Sequence, residues 1–343
     1  MLQCHRAYLS EGANSDSPMA EKQIDNRRFA DIDRSLMTVF RNSIWSKFTK
    51  AINEFSLLQP GDSVCVCISG GKDSMLLALL FKHLHAYSKF PFTVKYLVMN
   101  PGYNEINLAM IKNNLRILRI PALIVATDIF AIANGSAQSP CYLCAKMRRG
   151  ALYRIAKSYG CNKIALGHHY DDVVETTLMN MLNSGSFQTM LPKLHSDHYA
   201  GMDLIRPLYY VKEEDVIDFA KRNDLHFIRC ACRFTEAELG EAEATRGQRA
   251  KTKALLRQLR EAYSPQVEKN IFRAAYNVNL DMILGYKSEG KEHSFLDDYE
   301  EKGRKKDEEL ADSGLEQQAQ AKADAEHRKW QVDDSFLKEF ADE

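Results

Sequence analysis

Ser69-Gly70-Gly71-Lys72-Asp73-Ser74 gathers two glycines, a lysine and two hydroxyls between the apolar run Ser63–Ile68 and an apolar, helix-spaced run from Met75 to Tyr87. The pattern reads as strand, loop and helix. In an open α/β sheet ligands bind beyond the carboxyl ends of the strands, and a helix starting there aims its free backbone N–H groups into that crevice. Two glycines let the backbone approach an anion without Cβ obstruction, Lys72 brings a point charge, and Ser69 and Ser74 bring hydroxyl donors. The loop is not a Walker motif: Val66 stands where that motif needs its first glycine, and Asp73 follows Lys72 where Ser or Thr would hold magnesium.

A second cluster is Cys141-Tyr142-Leu143-Cys144, which follows Ser139-Pro140 and leads into a helical pattern. Cys230-Ala231-Cys232 lies about 90 residues downstream. A CxxC can be half of a metal site, a redox dithiol or packing. With no histidine beside either pair, a metal bound here would be held by thiolates, which suits zinc or an iron-sulfur cluster. Cys65 and Cys67, two apart on the apolar run, share one strand face and read as packing residues.

Gly167-His168-His169-Tyr170-Asp171-Asp172 follows the apolar stretch Lys163–Leu166, again at the carboxyl end of an expected strand. Either aspartate there can hold a cation, move a proton or cap a helix. Lys146, Arg148, Arg149, Arg154 and Lys157 make the helix after the CxxC basic, which fits a solvated face or contacts to polynucleotide phosphates. Lys251, Lys253, Arg257 and Arg260 pose the same choice further on.

The elements that must position these residues alternate. Strands are expected at Ser63–Ile68, Thr93–Met99, Ala122–Thr127, Lys163–Leu166, Asp203–Ile205 and His226–Ile228, with helices at Met75–Tyr87, Glu105–Arg119, Ala145–Tyr159, Asp172–Asn183 and Glu213–Asn223. Such alternation implies right-handed crossovers and a doubly wound, mostly parallel sheet of the α/β class. The chain is expected to comprise a disordered stretch 1–20, a helical lead-in 21–60, the α/β domain 61–234, a helical region 235–286 and an acidic tail 287–343, disordered or a single helix. Phe40, Ile44, Phe48, Ile52 and Phe55 recur at helical spacing in the lead-in.

The 343 residues are 45% hydrophobic with eight cysteines, which excludes disordered and disulfide-dense classes. No apolar run reaches the roughly 18 residues of a membrane span. Without a recognisable export signal the expected location is cytoplasmic, where cysteines serve metals or catalysis rather than disulfides. The net charge of zero hides 18 acids against 10 bases from Lys287 to Glu343, so that the rest of the chain is basic by eight. A basic body is compatible with a polyanionic partner.

The hexapeptide at 69–74 resembles the PP-loop of the N-type ATP pyrophosphatases. Together with CYLCAKMRRG (141–150), KIALGHHYDD (163–172), LPKL (191–194) and IRPL (205–208), it closely resembles the tRNA 2-thiocytidine biosynthesis family, from about Phe55 to Cys232. The resemblance implies a PP-loop ATPase fold that uses ATP and Mg2+ to adenylylate the C2 oxygen of a tRNA anticodon-loop cytidine and replace it with sulfur. It implies that Ser69, Gly70, Gly71, Lys72, Asp73 and Ser74 hold the phosphates, with adenine near Met99-Asn100 and Gly167. It further implies a [4Fe-4S] cluster on Cys141, Cys144 and Cys232, with Cys230 as the alternative third ligand because Arg-Cys-Ala-Cys is one residue shorter than the family's Pro-Cys-x-x-Cys. Asp171, Asp172 and Arg148 are the catalytic candidates. Expected partners are tRNA, a sulfur donor (sulfide or a cysteine desulfurase product) and a second copy in a homodimer. The alternatives are a PP-loop enzyme acting on another base or a small molecule with structural zinc, and a non-catalytic nucleotide-binding sensor.

Overall fold

The strand Ser63–Ile68 (β1) is buried from Val64 onward because it has parallel neighbours on both sides and helices on both faces. Its side chains alternate accordingly: Val64, Val66 and Ile68 enter one core cluster, Cys65 and Cys67 the other. A computed structural model describes residues 18–134, 140–228, 247–313 and 315–327 of the chain. The sheet adds Thr93–Asn100 (β2), Ala122–Ala126 (β3), Lys163–Ala165 (β4), Lys193–His195 (β5) and Asp203–Ile205 (β6) in the order β3-β2-β1-β4-β6-β5. All neighbours are parallel except β5 and β6, which form an antiparallel pair at one edge.

This is the expected doubly wound sheet, with one correction. His226–Ile228 is not a strand: it pairs with no strand of the sheet, and the Asn114 side chain donates to the His226 carbonyl at 2.8 Å, while Lys193–His195 supplies the sixth strand. Lys193–His195 is exposed at two of its three residues and lacks the buried character of Asp203–Ile205, so no apolar run marks it in the sequence.

The lead-in forms helix α1 (Pro18–Met37), a π-helical turn (Arg41–Trp45) and helix α2 (Ser46–Glu54). Phe40, Ile44, Phe48 and Ile52 are buried there. Phe48 meets Phe81 edge-on at 5.7 Å, and Phe40 meets Phe219 at 5.4 Å, which seats the lead-in on Lys72–Tyr87 (α3) and Glu213–Arg222 (α8). Helices α4 (Glu105–Ile117), α5 (Ile129–Asn134), α6 (Pro140–Ser158) and α7 (Tyr170–Ser184) complete the crossovers. Helix α6 covers the second sheet face through Tyr153 and Ala156, packed with Cys65, Leu97, Ile164 and Leu204.

After Ser184 and the β5–β6 pair, helices α9 (Gln248–Ala262) and α10 (Val267–Ala274) return to the body, where Phe272 packs on Tyr170 at 4.6 Å and Tyr209 at 5.4 Å. Two compact units meet between Ala275 and Tyr276, eleven residues before the expected boundary. The second unit is not purely helical either: Gly285–Ser288 (β7) and Lys291–Ser294 (β8) form a hairpin, followed by helices Tyr299–Ser313 (α11) and Leu315–His327 (α12). No helix among the described residues is long and apolar enough to cross a membrane.

Candidate active site

Helix α3 begins at Lys72, three residues earlier than its apolar pattern suggests, with Gly71 as its N-cap. Asp73 and Ser74 therefore belong to its first turn. The loop before it is closed by one hydroxyl: Ser74 Oγ accepts from the Ser69 N–H at 3.1 Å, lies 3.1 Å from Ser69 Oγ and donates to the Gly71 carbonyl at 2.9 Å. Gly70 has φ +88°, and a Cβ there would lie 2.7 Å from both Ile111 and Ile228, so glycine is required for conformation and for space. On the opposite wall, a Cβ on Gly167 would come within 3.0 Å of the Ser74 nitrogen and 3.1 Å of the Asp73 carbonyl carbon. A side chain there would have to push this backbone aside by a few tenths of an ångström, so glycine lets the end of β4 lie against the turn of β1.

Between these two strand ends is a cavity of about 300 Å³. Ser69, Asp73 and Ser74 line it from the loop, Met99 from the end of β2, Gly167, His168 and Asp172 from the β4 side, and Arg148 with Leu152 from α6. Cys67, assigned to packing, also reaches this wall. Tyr103, which the sequence did not single out, donates to the Ser69 carbonyl at 3.0 Å and braces the loop. Asn100 is spent on its own turn, where its Oδ1 accepts from the Gly102 and Tyr103 N–H groups.

Lys72 does not line the cavity. Its Nζ lies 2.9 Å from Glu213 and 3.1 Å from Asp73, so the expected point charge for phosphate is committed to carboxylates at the start of α8 and α3. The positive side chain that does face the cavity is Arg148.

The two neighbouring aspartates divide the work. Asp171 turns away from the cavity and accepts from the Glu213 N–H at 2.7 Å, which caps the first turn of α8. Asp172 faces the cavity, accepts the His169 N–H at 3.0 Å at the start of its own helix, and is ion-paired with Arg249. Burial would raise its pKa, but His169, the His169 N–H, His168 and Arg249 outweigh burial and hold it below the usual carboxylate range. Burial drives His168 the other way, well below the usual imidazole range, so it is neutral near pH 7.

Arg249 and Lys253, one turn apart on α9, clamp this corner. Arg249 reaches Asp172 and lies 3.5 Å from the buried Glu175; Lys253 lies 3.6 Å from Glu175 and 2.6 Å from Glu213. Lys253 is thus engaged by two carboxylates, and Arg260 is paired with Glu268. Sequence reading missed Arg249, Glu175 and Glu213. Their spacing, Asp172/Glu175 at i,i+3 and Arg249/Lys253 at i,i+4, was the available signal, but nothing in one sequence says the two helices meet.

Helix α6 starts at Pro140, so Cys141 and Cys144 belong to its first turns rather than to the loop before it. Positions 141, 144, 148 and 152 recur at helical spacing, so the cysteine positions share a helix face with Arg148 and Leu152. Cys230 and Cys232 lie outside the described residues. The chain enters that stretch at Ile228, beside Gly70, and returns from it at α9, whose Arg249 reaches Asp172. Both flanks are at the cavity.

A family model described as a PP-loop domain matches residues 41–232. The tRNA-cytidine(32) 2-sulfurtransferase of Geotalea uraniireducens is 34% identical over 257 residues, covering 74% of this chain and 96% of that protein. Its counterpart from Neisseria meningitidis serogroup A is 39% identical over 186 residues, 52% of this chain and 57% of that protein. Among solved structures, the U34-tRNA thiolase NcsA from Methanococcus maripaludis with its [4Fe-4S] cluster shares the fold, with a TM-score of 0.53 at 20% identity over 71% of this chain and 80% of that one. The PP-loop cavity and the relatives' extent agree, and the chain belongs to the tRNA-cytidine 2-sulfurtransferase family of PP-loop proteins.

Proposed function

We propose that this protein catalyses ATP-dependent thiolation of tRNA, exchanging the C2 oxygen of an anticodon-loop cytidine for sulfur. The observation that carries the reading is that one cavity is lined by the PP-loop, by Asp172 and by the same face of α6 on which the CxxC positions fall. ATP activation and sulfur delivery then share one site, which gives the proximity a two-step exchange needs.

In the first step the cytidine O2 attacks the α-phosphorus of ATP and pyrophosphate leaves. The loop backbone at 69–71 and the start of α3 bind the phosphates, Met99 lies where adenine rests, and Arg148 offsets the charge that builds on phosphorus. Asp73 and Asp172 are the carboxylates facing the cavity, and Asp73 Oδ1 is buried there with no hydrogen-bond partner, a donor suited to Mg2+. In the second step hydrosulfide adds at C2, the C2–O bond breaks and AMP departs, and loss of the S–H proton leaves the 2-thio group. Asp172, ionised at neutral pH, can take a proton from the incoming sulfur. Asp171 acts from behind by fixing α8.

Two cysteine positions at i,i+3 at the start of a helix suit a thiolate pair for iron, and Cys232 completes the set we propose, the described chain on either side of its segment being at the cavity. A [4Fe-4S] cluster on Cys141, Cys144 and Cys232 would supply, when bound, an iron open to sulfur. A tRNA substrate and a thiolate-held cluster support a cytoplasmic location as part of this reading.

The test is Cys144→Ala, purified and reconstituted anaerobically. Iron should fall from about four per chain, and nucleosides from treated tRNA should contain no 2-thiocytidine by mass spectrometry. Thiolation at the wild-type rate would overturn the reading.

A further inference from the structure

Helix α6 presents adjacent arginines to different places: Arg148 lines the PP-loop cavity, whereas Arg149 lines a separate groove of about 700 Å³ between α6 and the β5–β6 turn. Lys146, Arg149 and Tyr153 recur along that side of the helix, Tyr199 comes from the β5–β6 turn, and Arg206 from the residue after β6. Arg206 is only 6% exposed; it donates through Nη1 to the Leu191 carbonyl, its Nε has no hydrogen-bond partner, and no carboxylate pairs with it among the described residues. Against the three cations stands one exposed carboxylate, Asp197. Tyr153 and Tyr199 stack with centroids 5.3 Å apart and planes 8° from parallel, Tyr153 buried and Tyr199 half-buried at the outer end.

A buried guanidinium left unpaired beside a second arginine costs stability unless an anion joins them. Burial and the like charge of Arg149 hold Arg206 down to about 10 from its ordinary value, the mark of a cation short of a counter-ion. The combination of clustered cations with an aromatic platform is how single-stranded nucleic acid is held: phosphate on the cations, base on the ring.

We infer that the groove of Lys146, Arg149, Arg206 and Tyr199 binds a nucleotide of single-stranded RNA flanking the base that reacts in the PP-loop cavity, with its phosphate on the cations and its base on the outer face of Tyr199. The inference rests on the proposed tRNA thiolation and adds where the strand runs: across α6, from the Arg149 side to the Arg148 side. Lys146 and Arg149, taken from sequence as either a solvated face or RNA contacts, are assigned here to RNA.

The experiment measures binding of a fluorescent anticodon stem-loop RNA to the full chain by anisotropy over a salt series, with ATP affinity measured in parallel. Lys146→Gln/Arg149→Gln should weaken RNA binding at least tenfold and lower the salt slope by about 1.4, at roughly 0.7 per single-strand phosphate contact. Tyr199→Ala should weaken it about fivefold or more and Tyr199→Phe should not, as stacking requires. ATP affinity should be unchanged in all three. Lys89→Gln/Lys112→Gln, two exposed lysines elsewhere that remove the same charge, sets the baseline. If wild type binds the RNA and the groove variants match the Lys89/Lys112 control, the groove assignment falls while the thiolation reading stands. If wild type does not bind the RNA at all, both fall.

Discussion

At the amino end of β4 the buried Lys163 ammonium lies 2.8 Å from Asp203 and 3.6 Å from Asp62, and Asp62 in turn accepts from Asn162 Nδ2 at 2.7 Å and from the Gln59 N–H at 2.6 Å. Asn162 Oδ1 closes the set on the Ser63 N–H. Beyond the carboxyl end of the same sheet, Asp73 Oδ1, His168 Nδ1, His169 Nδ1, Glu175 Oε2 and Arg206 Nε are buried without a hydrogen-bond partner, and they are all the atoms of this kind among the described residues. One end satisfies its buried polar groups and the other leaves them open. Since an unsatisfied buried group costs about 1–3 kcal/mol, a sheet that pays this at one end only is shaped there by what it binds, and at the other by folding.

The paired end is most readily disrupted at Lys163. Lys163→Met leaves Asp62 buried without its cation and Asp203 with only His195 and Lys193, and removing one member of a buried pair costs about 3–5 kcal/mol. We expect the melting temperature to fall by on the order of 10 °C, with ATP affinity unchanged per folded molecule. A variant as stable as wild type would show that the paired end is not the structural one.

Asp73→Asn probes the other end. The substitution removes a carboxylate whose Oδ1 has no hydrogen bond and whose Oδ2 only shares Lys72 with Glu213 in a partly exposed pair, so stability should shift by less than about 1 kcal/mol. ATP-dependent pyrophosphate release should drop at least roughly 100-fold, or about 2.7 kcal/mol of transition-state stabilisation. Loss of stability with activity retained would reverse the assignment of the two ends.

How much of this was visible in the residues follows from which interactions are local. The PP-loop, the alternation of strands and helices, and the segment Gly167–Asp172 are local patterns, and the cavity is built from them: Ser69, Asp73, Ser74, Met99, Arg148, Gly167 and Asp172 all face it. What stayed hidden depends on long-range partners. Asp171 and Asp172 are indistinguishable in sequence and separate only because α8 brings the Glu213 N–H to the first and α9 brings Arg249 to the second. Lys72 looked free because Glu213 is 141 residues away. The hairpin at Gly285–Ser294 was missed because it is short, charged and exposed, without the apolar alternation that marks a strand.

Glu213 lies between the two regimes and yields the smallest effect. It is the acceptor for both Lys72 and Lys253, and although burial would raise its pKa, those two ammonium groups bring it down to about 2 from a model-peptide value of 4.5. A carboxylate lowered on folding stabilises the protein above its unfolded pKa, and that contribution disappears as pH falls from 4.5 toward 2. Glu213→Gln should therefore cost roughly 1–2 kcal/mol at pH 7, and the penalty should shrink steadily across that acid window until variant and wild type unfold together. Urea titrations at pH 7, 4 and 3 measure it directly. A penalty that stays constant down to pH 3 would mean that the Glu213 charge is not what holds Lys72 and Lys253, and that Lys72 is free to swing toward the phosphate site after all.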